Sequence, residues 1–138
     1  MRKRLLFSAL LFFTLTLQAA LAFSQQLIIL DETGKQTSLA RADIGALPHV
    51  KISTSVSGTA ATFEGVTVKA VLARAGVGFG ETMRGKRLAS CLLVEASDGY
   101  RAVIALLELD PAFTDKQVLL AFLKDGKPLD DKEGPTAS

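Results

Sequence analysis

The sequence holds 138 residues, with 16 Lys or Arg against 14 Asp or Glu, for a formal charge of +2 at pH 7. The length suits one domain, the small charge lacks the basic excess of a dedicated nucleic-acid binder, and a charged content of 22% with a mean hydropathy of +0.32 argues against wholesale disorder. Cys91 is the only cysteine and His49 the only histidine, which excludes an intrachain disulfide and any multi-cysteine or multi-histidine metal centre.

The first segment reads as an export signal. Met1-Arg2-Lys3-Arg4 supplies three consecutive positive charges, and Leu5 to Leu17 is an uncharged run broken only by Ser8, Thr14 and Thr16. Gln18 and the small-residue segment Ala19-Ala20-Leu21-Ala22 follow. A charged start, an apolar middle and an A-x-A site are the three parts of a secretory signal peptide. The apolar run is shorter than the roughly 20 residues of a spanning helix; an uncleaved anchor is the alternative. Cleavage is expected after Ala22, with a site after Ser24 as the second choice, and no cysteine follows for lipid attachment. Losing Arg2, Lys3 and Arg4 leaves 13 bases against 14 acids, a net charge of −1. Lys3 separates Arg2 from Arg4, so there is no twin arginine and the general, unfolded route is expected. That route fits poorly with a bulky cofactor loaded before export. The destination is the periplasm or the exterior, with no membrane association beyond the signal.

Residues 23–138 alternate strand and helix signals, which predicts one mixed α/β domain. Gln26 to Leu30 is a compact apolar strand, ended by the turn Asp31-Glu32-Thr33-Gly34. Ser38 is placed to cap a helix from Leu39 to Leu47, stopped by Pro48. Val50 to Val56 alternates apolar and polar residues as a strand with one wet face does. Ser57-Gly58-Thr59 is a turn, Ala60 to Phe63 a short strand end, and Glu64-Gly65 the opening of a loop. Thr67 then caps the clearest helix, in which Val68, Val71, Leu72 and Ala75 share one face and Gly76 terminates.

A further turn is expected over Glu81 to Arg84. Cys91 to Val94 is continuously apolar, as in a strand covered on both faces, and Asp98-Gly99 turns the chain into its partner strand, Tyr100 to Ala105. Leu106 to Asp110 is a helical turn stopped by Pro111. Val118 to Leu123 is another strand, Asp125-Gly126 another turn, and Lys127 to Ser138 a polar tail without pattern.

Chemistry-bearing residues are few. Cys91, inside the most apolar strand, is expected to be a buried, unactivated thiol. His49, beside Pro48 at a strand entrance, is expected at the surface or in a loop. Glu108 and Asp110 read as a solvated acidic turn. Gly76-Val77-Gly78-Phe79-Gly80 lacks the Lys-Ser/Thr of a phosphate loop and reads as a helix stop plus loop. No catalytic residue and no metal ligand emerges from residue chemistry, and cofactor-binding positions stay unassigned.

The order of segments nevertheless resembles sulfite-oxidase-type molybdopterin-binding domains. Ser38 to Pro48 is similar to their helix-then-proline opening. Phe63-Glu64-Gly65-Val66-Thr67-Val68-Lys69-Ala70-Val71-Leu72-Ala73-Arg74-Ala75-Gly76 resembles their Gly-Val-Pro-Leu, Leu-Leu and Arg-Ala-Gly stretch. Ser97-Asp98-Gly99-Tyr100-Arg101-Ala102-Val103 resembles their Asp-Gly-Tyr hairpin. Leu107 to Pro111, Val118 to Phe122, Asp125 to Leu129 and Glu133-Gly134-Pro135 follow in family order. The ordered set carries the resemblance, over about Leu27 to Pro135.

The resemblance implies an oxidoreductase fold, a mixed sheet with short helices, and a molybdopterin cofactor. It also implies a cysteine ligand in the loop after the strand matching Val50 to Val56, where this chain has Ser55-Val56-Ser57-Gly58. A serine hydroxyl is a far poorer ligand than a thiolate, and Cys91 matches a downstream strand. The family also continues beyond the point matching Thr136-Ala137-Ser138, so the domain is expected to be incomplete at that end. The expectation is an exported molybdopterin-binding-like protein without molybdenum catalysis. The alternatives are a periplasmic interaction or sensing module, whose partner is a protein rather than a pterin, and a truncated product without function.

Overall fold

Eight strands, two short helices and three 3-10 turns make up residues 26–129, the part of the chain that the computed structural model describes. The expected signal peptide and the segment beyond Leu129 lie outside the described residues. Strand β1 (Gln26–Leu30) pairs antiparallel with β2 (Gln36–Ala40) across the turn at Asp31. The Asp31 carboxylate holds that turn, accepting from the Thr33 hydroxyl at 2.6 Å and from the Thr33 and Lys35 N–H groups at 2.9 Å.

Helix α1 (Arg41–Gly45) is shorter than the helix expected from Leu39 to Leu47, and Ser38 is not its cap. Residues 36–40 are instead drawn into the ladder with β1, and Asp43 reaches back to accept from the Ala40 N–H at 3.2 Å.

Strands β3 (His49–Val56) and β4 (Thr59–Thr67) form the longest hairpin. Both turn residues, Ser57 and Gly58, have positive φ (52° and 82°), the conformation whose twist matches a two-residue hairpin. The expected loop at Glu64-Gly65 is absent; β4 runs on to Thr67 through a register shift between these two residues. Gly65 is required there because a Cβ would stand 2.1 Å from the carbonyl oxygen of Leu120 on the neighbouring strand. A glycine within a strand thus marks close backbone approach rather than an end.

Thr67 then caps α2 (Val68–Arg74), its hydroxyl accepting from the Ala70 N–H at 3.2 Å, an arrangement worth about 1 kcal/mol. Gly76, at φ 95°, ends it. The following segment folds into 3-10 turns at Gly80–Thr82 and Gly85–Ala89. Strands β5 (Cys91–Glu95) and β6 (Arg101–Ala105) form a second two-stranded ribbon, and a 3-10 turn, Leu106–Leu109, follows.

Strand β7 (Leu119–Lys124) lies between β4 and a short β8 (Lys127–Pro128), giving the order β3-β4-β7-β8. The tail expected to be polar and unpatterned from Lys127 therefore begins as a strand and buries Leu129, which is 7% exposed. All pairings among the described residues are antiparallel. The sheets and short helices together are the mixed α/β fold expected from the sequence.

The apolar interior has two clusters. Leu39, Ile44, Val66 and Val71 form one; Leu72, Met83, Leu106 and Leu109 form the other. Helix α2 joins them, because its neighbouring residues Val71 and Leu72 point one into each, and Ile29 of β1 packs against both. Complete burial of a side chain such as Val66 contributes about 1.5–3 kcal/mol. No helix among the described residues is long and apolar enough to cross a membrane.

Candidate functional site

Four places hold the residues that carry chemistry. The first is the β3–β4 turn, the position that the family resemblance marks for a cysteine. Ser55, Val56, Ser57 and Gly58 are all exposed there, and Val56 pairs with Thr59 to close a two-residue turn. The only polar side chains from Ser53 to Thr62 are hydroxyls, and Ser53 and Thr62 share one hydrogen bond at 3.0 Å.

The second place is a cleft between the two ribbons. It has a volume of about 620 Å³ and is lined by residues 27–32, residues 91–95, Val68, Val71, Leu72 and Leu120. It opens over the seam between the two apolar clusters, with β1 on one side and β5 on the other. Cys91 lines it and is exposed. This corrects the expectation of a buried thiol in a strand covered on both faces. Strand β5 is an edge strand in a two-stranded ribbon, so of its residues only Leu92 is half-buried. The charged lining residues are Asp31, Glu32 and Glu95, all acidic.

Asp110 is the third. Expected as part of a solvated acidic turn, it is the one buried charged residue among those described, at 1% exposure. Its carboxylate accepts from the Gly80 N–H, from the Ala112 N–H at 3.2 Å and from Lys69 Nζ at 3.5 Å. The Gly80 hydrogen bond is the main cause that holds its pKa below the ordinary value; burial opposes this, and the Ala112 and Lys69 contacts add to it. Lys69 Nζ also lies 5.4 Å from the centre of the Phe79 ring. The group ties α2, the glycine-rich loop and the Pro111 segment together. Glu108 stays exposed, as expected. The glycine-rich stretch is a helix stop plus loop, also as expected, and its Gly80 serves Asp110.

The fourth place surrounds His49, which is exposed as expected but begins β3. Its Nε2–H donates to the Gly45 carbonyl at the end of α1 (3.1 Å), and its ring meets Phe122 at 5.7 Å between centres. Nδ1 lies 3.5 Å from Glu64, which also pairs with Lys51 at 3.2 Å. The Lys51 hydrogen bond is the main cause that lowers the Glu64 pKa; desolvation opposes it, and the His49 hydrogen bond and the two nearby charges add to the lowering. This is a pinning contact between α1, β3 and β4.

These places stay apart. Cys91 lies in the cleft and His49 on the other sheet, and no group of three His, Cys, Asp or Glu that could hold a metal occurs among the described residues. The Lys69–Asp110 pair had no local signal, because 41 positions separate its members.

The residues do not fit a thiolate-held molybdenum–pterin group at either position that resemblance or chemistry suggests. The β3–β4 turn offers hydroxyls without a thiol and without enclosing walls. The cleft offers a thiol, but its charged groups are carboxylates, which repel an anionic phosphate-bearing pterin. The family model described as oxidoreductase molybdopterin binding domain matches residues 14–136, a span that includes every described residue. No curated protein matches the chain.

Proposed function

The chain belongs to the oxidoreductase molybdopterin-binding domain family, sulfite-oxidase-like in type, and from that premise we propose that it is an exported member that works without a cysteine-bound molybdenum. The observation that carries this reading is the Ser55–Gly58 turn. It is a tight, exposed hairpin turn made of hydroxyl, valine and glycine residues, and Cys91 lies on a different sheet. Export rests on the three leading bases, the apolar run and the A-x-A site at Ala20 and Ala22. The absence of a twin arginine before the apolar run supports the same reading, because a preloaded cofactor favours folded export.

Metal analysis and pterin fluorescence on the protein purified from the exported fraction test this proposal, together with intact mass. The expected result is a mature start at Phe23 or Gln25, molybdenum far below one atom per chain, and no sulfite or sulfoxide turnover. Ser57→Cys is expected to restore none of these, since a thiol in that open turn gains no enclosing donors. Stoichiometric molybdenum in the wild-type protein overturns the proposal and makes molybdenum redox chemistry the function.

A second reading is favoured by one specific observation, the exposed apolar cleft. It is that of a periplasmic interaction module that reuses the family's fold.

A further inference from the structure

Side chains of a strand alternate between two faces, so a cavity lying on one face touches every second residue. The cleft is lined instead by each successive residue from 27 to 32 and from 91 to 95. It therefore reaches residues of both side-chain faces of β1 and β5, as a cavity that borders a strand's edge does. Among the described residues both edges lack a ladder partner on that side, because β1 pairs with β2 and β5 with β6. Half the backbone N–H and C=O groups of each strand point away from the existing partner.

Two-stranded ribbons are marginally stable alone, and an apolar free edge is a template for another strand. Here the most exposed apolar side chains beside those edges are Ile28 (58%), Leu30 (65%) and Leu93 (56%), with Leu27 and Val94 less so. The floor is Val68, Val71 and Leu72, which already belong to or border the core. Five residues of ladder are available on each side, which a strand of five or six residues, roughly 17–20 Å long, spans.

We propose that this cleft is a docking site for an extended segment of a partner protein, apolar and carrying a basic residue at one end. The segment adds as a strand between β1 and β5 and joins the two ribbons into one sheet. Charge selects this occupant. Glu95 is already paired with Arg101 at 3.0 Å and Asp31 accepts from Thr33 and Lys35 in its own turn, so the carboxylate left at the rim to attract a lysine or arginine is Glu32. A second copy of this chain brings the same acidic rim and no lysine or arginine among its cleft-lining residues. Residues 130–138 carry three acids, one base and Pro135, so they repel the rim and lack a ladder donor. Residues 2–17 have suitable chemistry, but as an export signal they are removed. The proposal deepens the interaction-module reading and does not depend on whether a pterin is bound elsewhere.

The test uses the exported protein and a blocked peptide, acetyl-Lys-Val-Thr-Val-Thr-Val-amide. Two readouts are amide exchange along β1 and β5 and the alkylation rate of Cys91, which lines the cleft. The expected result is a saturable, at least tenfold slowing of alkylation, with protection of alternate amides in both strands. An N-methylated peptide with the same side chains is expected not to protect. Glu32→Lys is expected to weaken the basic-ended peptide several-fold while leaving the melting temperature unchanged. The proposal fails if millimolar peptide protects neither strand, or if the N-methylated peptide protects equally. It also fails if both edges are already protected without peptide, either in a dimer or only while residues 1–25 are attached. Those last two results assign the cleft to a second copy or to the chain's own leader.

Discussion

Strands β7 and β5 look alike as sequence and end in opposite environments. Leu119–Lys124 and Cys91–Glu95 are both near-continuous apolar runs closed by one charged residue. Every residue of β7 is half-buried, because the strand lies between β4 and β8 and its Leu120 and Phe122 pack on the first cluster. Four of the five residues of β5 are exposed, because its only partner among the described residues is β6. An apolar run thus sets what a strand can bury, while the number of strands beside it sets what it does bury. The β3-β4-β7 side closes its surface; the β1 and β5 edges leave theirs open.

That contrast breaks first at Gly65. A Cβ there would meet the Leu120 carbonyl oxygen at 2.1 Å and the Ala121 Cα at 2.7 Å, both backbone atoms that cannot swing aside. Gly65→Ala is expected to lower stability by about 3 kcal/mol or to prevent folding, measured by urea denaturation. A sharper comparison pairs two leucines. Leu120→Ala on β7 is expected to lose about 2 kcal/mol, whereas Leu93→Ala on β5, 56% exposed, is expected to stay within about 0.5 kcal/mol. Equal losses in the two would mean that β5 is covered in solution.

The two sides were unequally legible for the same reason. Features fixed by neighbours in sequence could be read: the turns at Ser57-Gly58, Asp98-Gly99 and Asp125-Gly126, the Thr67 cap, the Gly76 stop and the Leu106–Leu109 turn. The family order was legible too, since ordered short motifs survive where single ones are weak. Features fixed by distant partners could not be read. Strand β2 exists because residues 36–40 meet β1, and β4 passes through Gly65 because β7 lies against it. Asp110 is buried because Gly80 and Lys69 come to it, and Cys91 is exposed because, among the described residues, no strand lies beyond β5.

Asp110 provides the next test, on the closed side. Its pKa in the folded chain lies below the ordinary 3.8. Such a carboxylate contributes stability that is present above its unfolded value and disappears as pH falls through the folded one. Asp110→Asn keeps the shape but loses the charge facing Lys69 and weakens the acceptor for the Gly80 and Ala112 amides. The expected cost is about 1–2 kcal/mol at pH 7. Denaturation curves of variant and wild type are expected to begin converging as pH falls below about 4 and to meet only below the folded value. A gap that persists undiminished at low pH would place the effect in packing rather than in charge.

The smallest expected effect falls on Cys91 and bears on the open side. A thiol buried in an apolar strand resists alkylation, and its replacement by serine leaves a hydroxyl without a partner, at about 1–3 kcal/mol. An exposed thiol reacts in the native state, and its serine is solvated. Cys91 is exposed at the lip of the cleft, and its cross-strand neighbour Ala105 is exposed as well. Cys91→Ser is therefore expected to change stability by less than about 0.5 kcal/mol. Iodoacetamide is expected to label the native protein nearly as fast as the unfolded chain. Slow native labelling together with a neutral serine variant would be the most informative outcome. It would mean that the side chain is covered by something the isolated fold does not provide, as an added strand along β5 would do.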